Sequence, residues 1–103
     1  MTGVFRVLLT MRVDPDRGAE FERAWTEVAG VVGREPANLA QELYREPGAV
    51  YHVVTDWTDE ESFRRFETSE AHRGHRARLD PFRRAVRMTT MRLVHRSPTG
   101  RDA

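Results

Sequence analysis

The sequence has no cysteine in 103 residues. That removes disulfides, thiolate nucleophiles, thiolate zinc sites and cysteine-ligated iron–sulfur clusters together. No apolar run approaches the roughly 18 residues a membrane-spanning helix needs, so no membrane partner is expected. Met1-Thr2-Gly3-Val4-Phe5-Arg6 lacks a basic stretch followed by an apolar block and a small-residue cleavage site. No secretory signal is read there, and a cytoplasmic location is expected. Charge of one sign is missing too: 17 Lys and Arg face 16 Asp and Glu, for a net +1. With a pI near 8.4, the chain falls short of the basic footprint of nucleic-acid binders, and no nucleic-acid partner is expected. Nor is there a GxGxxG turn, a Walker loop or a GxSxG elbow, so nucleotide and nicotinamide cofactors have no evident seat. Chemistry must come from His, Arg, carboxylates, hydroxyls or the substrate itself.

The chain does carry 39% apolar and 32% charged residues, enough for one globular domain with a well-solvated surface. That domain is expected over residues 1–96, and 97–103, rich in Pro, Gly and charge, as a flexible tail. Phe5, Val7, Leu9, Met11 and Val13 alternate with polar neighbours, Leu8 excepted, which predicts a strand over 5–13. Asp14-Pro15-Asp16 offers a cap and a first-turn proline, and the spacing of Phe21, Trp25, Val28 and Val32 predicts a helix over about 16–32. Gly33 closes it. Segments 38–45 and 49–57 flank Glu46-Pro47-Gly48, a type II turn, and predict a hairpin. Thr58-Asp59-Glu60-Glu61 starts a helix that carries Phe63 and Phe66 inward. A second helical stretch runs from near Ser69 to Leu79, Asp80-Pro81 restarts a turn over 82–86, and the last strand is predicted at 88–94. The order β-α-β-β-α-β is the ferredoxin-like α+β arrangement, with helices on one face of a four-stranded antiparallel sheet. The other face stays bare, yet Leu8 lies opposite to Val7 and Leu9, and Met88 and Val94 lie opposite to Met91 and Leu93. Such a patch is unusual on a monomer, and a face-to-face homodimer is the simplest cover.

The helix ending at Leu79 carries the anomaly. One and two turns before Leu79 stand His75 or Arg76 and then His72, so the face that should be apolar is polar. Either the helix lies at the rim with these groups in solvent, or His72 and Arg76 enter a pocket lined by Trp25, Trp57, Phe63, Phe66 and Leu79. A mostly apolar cavity with a few convergent polar groups suits a flat aromatic ligand. Trp57 packs in the core, lines that pocket, or does both. His52, facing opposite to Trp57, reads as a hydrogen-bonded histidine at the dimer interior, and His95 as exposed. His72 and His75 alone do not make a metal site, which needs a third protein ligand, so no metal is expected. The arginines from Arg64 to Arg87 interleave with Glu60, Glu61, Glu67, Glu70 and Asp80, a solvated face laced with pairs such as Glu60 with Arg64.

The stretch Val54-Thr55-Asp56-Trp57-Thr58-Asp59-Glu60-Glu61-Ser62-Phe63-Arg64-Arg65-Phe66-Glu67-Thr68-Ser69-Glu70-Ala71-His72 resembles the strand-end Trp, acidic helix start and Ser-Glu-x-His run of the antibiotic biosynthesis monooxygenase family. The likeness in element order covers about residues 5–94. The resemblance implies a dimeric α+β barrel of two ferredoxin-like subunits, each with a cavity between helices and sheet. Members include small oxygenases that convert anthrone-type aromatic polyketides to quinones without metal, flavin or haem; others cyclise polyketides, degrade haem or have no settled activity. The family's strand-end Trp falls on Trp57, and the later-helix Arg of the quinone-forming members falls on Arg76 with a one-residue gap. Their Asn four residues before the Trp is replaced by Val53, and their Tyr six residues after it by Phe63. In the haem-degrading branch the later Trp would fall on Phe66 and the ligand His near Arg76, which argues against haem.

The resemblance therefore implies a cofactor-independent monooxygenase that oxidises an anthrone- or naphthol-type polyketide to a quinone, with dioxygen as co-substrate. On this expectation Arg76 stabilises the substrate anion, His72 is the base, and Trp57 joins them at the reacting ring. Trp25, Val53, Phe63, Phe66 and Leu79 would bind the rings. A polyketide cyclase of the same fold and a non-catalytic aromatic-ligand-binding or auxiliary protein of a polyketide synthase pathway are the alternatives, since fold does not fix function.

Overall fold

The computed structural model describes residues 3–98. The first alternating stretch forms β1 (Phe5–Val13), with Phe5, Val7, Met11 and Val13 buried on one side. Asp14 makes no side-chain cap at the turn after β1; its carboxylate pairs with Arg84 instead. A 3-10 turn at Pro15–Arg17 leads into α1 (Gly18–Val32), which buries Phe21, Ala24, Val28 and Val32 against the sheet. Its first residue is a close-approach glycine: a Cβ on Gly18 would lie 2.9 Å from the Tyr51 hydroxyl, which donates to Glu22 Oε2 at 2.5 Å.

Strands β2 (Asn38–Glu46) and β3 (Val50–Trp57) form the expected hairpin. Gly48 takes φ of 89°, the positive φ expected at the third position of a type II turn, and Ala49 after it takes φ of 62°, closing a three-residue loop. Helix α2 (Glu60–Glu67) is capped by Asp59, whose carboxylate accepts the Ser62 backbone N–H at 2.7 Å. Helix α3 (Glu70–Leu79) is capped by Ser69, whose hydroxyl accepts the His72 N–H at 3.1 Å. A 3-10 turn at Asp80–Phe82 then delivers the chain to β4 (Arg83–Arg92).

The four strands run antiparallel in the order β2-β3-β1-β4, so the fold is ferredoxin-like α+β. Tyr51, Val53 and Trp57 on β3 join the buried side of β1 and the apolar stripes of the helices in one core. Expectation and structure part at β4. The strand predicted at 88–94 starts at Arg83 and ends at Arg92, so most of the turn expected over 82–86 is strand. The cause is pairing with β1: Val13 and Arg12 pair with Arg83 and Arg84, and Thr10 pairs with Arg87. Two steps on β1 thus face three on β4, a β-bulge, and Ala85 within it takes φ of 52°. Met88 pairs with Leu9 on the helix side, while Met91 pairs with Arg6 on the bare side.

The bare face presents Leu8 and Val54, both half-buried, with Tyr44 at 52% and Met91 at 40% exposure. His52 sits there in a relay, bonded to the Thr10 hydroxyl at 3.1 Å and to the Glu46 carboxylate. His95 is exposed, as expected. From residue 99 onward the expected tail lies outside the described residues. Among the described residues, no helix is long and apolar enough to cross a membrane.

Candidate functional site

A cavity of about 260 Å³ lies between the helices and the sheet. All eight residues nominated from the sequence line it: Trp25, Val53, Trp57, Phe63, Phe66, His72, Arg76 and Leu79. Each arrives by a simple periodicity. Val53 and Trp57 project from one face of β3, Phe63 and Phe66 from one side of α2, and His72, Arg76 and Leu79 at one-turn spacing from α3. Its volume falls a little below the roughly 300–1,000 Å³ of most ligand pockets, which suits a small flat ligand.

Behind and along one wall runs a chain of tilted and edge-on rings, of which Phe63, Trp57, Phe66 and His72 line the cavity. Phe5 lies 5.8 Å from Phe63, Phe63 lies 5.4 Å from Trp57, Trp57 lies 5.0 Å from Phe66, and Phe66 lies 4.6 Å from the His72 imidazole. Trp57 is 1% exposed, and its indole N–H donates to Thr55 Oγ1 at 2.9 Å. It is core and cavity wall at once, and it offers a ligand only its π face. Trp25 is half-buried. Val53 and Phe63 are buried and apolar, so this part of the wall contributes no hydrogen bond.

The polar groups gather around α3. His72 is half-buried, and burial, then the Arg76 guanidinium, then His75, push its pKa down to about 4. This corrects the expectation of a base poised near neutrality: the imidazole is neutral at physiological pH and a weak proton acceptor. Nδ1 of His72 and Nδ1 of His75 are both buried without a hydrogen-bond partner. Arg76 makes no ion pair among the described residues and is largely exposed, which puts it at the cavity mouth. The mouth lies beside edge strand β4, where Val86 and Met88 also line the cavity.

Sequence reasoning missed several lining residues. Gln41 donates to the Ala29 carbonyl at 2.8 Å, and Glu67 accepts from Arg64 at 3.0 Å, so both are engaged elsewhere. The sequence offers His75 only as half of a metal pair, and among the described residues no group of three or more His, Asp or Glu could hold a metal ion. Arg83 is the omission with the greatest chemical weight. Its side chain is 7% exposed; Asp80 Oδ1 accepts from its Nε at 3.1 Å and lies 3.0 Å from its Nη2 as an ion pair. The bulge aims it inward, and no local sequence signal announces a bulge.

Residues 4–78 match the model of a family described as antibiotic biosynthesis monooxygenase. The chain belongs to that family. Among solved structures, this monooxygenase-family chain is similar to SnoaB from Streptomyces nogalater, a cofactor-independent oxygenase. The TM-score is 0.83 and the identity 21%, over 94% of this chain and 99% of that one. A protein from Caulobacter crescentus CB15 gives a TM-score of 0.80 at 23% identity, over 91% of this chain and 92% of that one. A conserved protein from Methanosarcina mazei Go1 gives 0.79 at 17%, over 88% and 93%. At such identities these likenesses establish the fold. No curated protein matches the chain by sequence.

Proposed function

We propose that this chain is a cofactor-independent monooxygenase that converts an electron-rich, hydroxylated aromatic of the anthrone or naphthol type to a quinone. The observation that carries the reading is the cavity itself, a hollow walled by contacting aromatic rings with imidazoles and guanidiniums on the α3–β4 side. Membership of a monooxygenase family and the likeness to a cofactor-independent oxygenase support it.

The chemistry asks little of the protein. A substrate C–H proton passes to a water at the cavity mouth, giving a carbanion delocalised as an enolate. The carbanion passes one electron to dioxygen, and the radical and superoxide combine into a C–O bond. The resulting peroxide anion takes that proton back, and the hydroperoxide loses water to leave a carbonyl, so one substrate CH2 and one O2 become one C=O and one H2O. The protein orients the rings, excludes water and stabilises the anion. Arg76, a cation at the mouth with no ion pair among the described residues, makes the substrate a stronger acid, and neutral His72 holds an oxygen of the ring system. Trp57, Phe63, Phe66, Trp25, Val53 and Leu79 form the slot for the rings. Two copies pairing through the bare sheet faces complete the assembly in this reading.

The test is anthrone turnover followed by absorbance together with an oxygen electrode. One O2 consumed per quinone formed, and at least about a tenfold loss of rate in Arg76→Ala, which removes a charge-assisted contact, are the expected results. Turnover without oxygen uptake would make the protein a cyclase. The apolar Val53 and Phe63 and the engaged Trp57 N–H favour a second reading, a ligand-binding auxiliary protein. That reading predicts binding of anthrone with no change in its spectrum.

A further inference from the structure

We infer that Arg83, with the imidazoles of His72 and His75, forms an anion seat on the α3–β4 wall of the cavity that binds the ionised form of a hydroxylated or carboxylated planar aromatic. The inference rests on the cavity being an aromatic-ligand site, and it is independent of the oxygen chemistry.

Arg83 differs from every other arginine of the chain's basic run. Arg84, itself exposed, pairs with half-buried Asp14, Arg64 and Arg65 pair along their own helix, and Arg76 stands at the mouth. Arg83 alone combines a nearly sealed side chain with a place on the cavity wall. Asp80, itself 64% exposed, accepts from Nε through one oxygen, which also lies within ion-pair distance of Nη2. That fixes one edge of the guanidinium fork, and no contact occupies Nη1 among the described residues. Asp80 offsets part of the charge, but it is itself largely in solvent, while the guanidinium, pinned in a poorly solvated place, keeps a free N–H edge to bind a second anion.

The imidazoles add donors. A buried N–H with no partner is rarer and costlier than a buried lone pair with none. With both Nδ1 atoms sealed and unpartnered, the tautomer that leaves no orphaned buried donor carries its proton on Nε2 in both rings, which belong to the cavity wall. The guanidinium and both rings therefore present N–H groups. Glu67, the one carboxylate on the wall among the described residues, is held by Arg64. Arg83 is also close enough to His72 to help hold that ring neutral. A ligand oxygen here meets donors only, so a phenol or acid gains by losing its proton before or during binding.

Alizarin, a dihydroxyanthraquinone whose absorption band moves on ionisation and which dioxygen does not oxidise, reads this directly. A pH titration of the dye bound to the intact protein is expected to show its first ionisation at least one unit below that of the free dye, a tenfold preference for the anion. Arg83→Gln is expected to abolish most of that shift, Arg83→Lys to retain part of it, and Arg76→Gln to disturb it less than Arg83→Gln. A bound dye whose ionisation is unmoved or raised overturns the inference in the wild-type protein, whatever the variants do. So does a shift that survives Arg83→Gln and disappears in Arg76→Gln. Anthrone oxidation with oxygen uptake beside an unshifted dye overturns this inference alone; a shifted dye without oxygen uptake sustains it and overturns the oxygenase reading.

Discussion

His72 shows how an environment rewrites a side chain. Its ring lies against Phe66 and its Nδ1 is sealed, so a proton arriving there meets an apolar wall and the field of Arg76. The folded pKa of about 4 stands below the ordinary 6.5. Between those values the unfolded chain binds a proton at this position and the folded chain does not. The stability contributed by a neutral His72 is therefore intact above pH 6.5, falls as pH drops, and is gone near 4. Urea unfolding across that interval is expected to show a steeper loss for the wild type than for His72→Phe, and parallel curves would refute the burial argument. His72 and Arg76 were legible as candidates because a helix that ends on inward Leu79 should not be polar one and two turns earlier. The low pKa was not legible, since it depends on what packs over the ring. Arg83 was not legible either, because within the run Arg83, Arg84 and Arg87 nothing local separates a buried arginine from its solvated neighbours.

Among the elements, β4 decides the site. In a regular strand Arg83 and Met88, odd and even, would face opposite sides of the sheet. The extra residue between Arg84 and Arg87 lets both face the helices, and the helix-side alternation of β1 is answered along the whole length of β4. Ala85 carries the backbone strain of that arrangement with its φ of 52°. A β-branched side chain tolerates the left-handed region poorly, so Ala85→Val should cost more than about 1 kcal/mol. Ala85→Gly, which relieves strain but loosens the unfolded chain, should lie within about 1 kcal/mol of the wild type. Chemical denaturation of the two variants measures both, and an equal cost would remove the bulge from the account. The hairpin, α1 and the caps at Asp59 and Ser69 were readable because short-range periodicity and turn chemistry set them. The start of β4 was not, because pairing with a strand some seventy residues earlier sets it, and Asp80-Pro81 followed by charge reads locally as a loop.

For the molecule as a whole, the sheet divides two environments. One side carries the helices, the core and the cavity, and the other offers Leu8, Val54, Tyr44 and Met91 around the Thr10–His52–Glu46 relay. Both the element order and the two-sided apolar pattern of the strands were visible in the sequence, which is why a covered second face was expected. Leu8 pairs with Val54 and Thr89 near the middle of this face, so Leu8→Glu should set like charges together in any face-to-face pair. Light scattering on a sizing column is expected to give twice the 11.9 kDa chain mass for the wild type and a single chain mass for Leu8→Glu. A wild type that elutes as one chain overturns the dimer.

The two tryptophans stand in unlike places, Trp57 sealed with its N–H on Thr55, and Trp25 half-open on the opposite wall of the same hollow. Their emission should accordingly separate into a short-wavelength and a longer-wavelength component. Any coloured guest that slides between the rings sits within energy-transfer range of both. The protein thus carries an intrinsic optical gauge of occupancy, with no label to attach and no mutation to make.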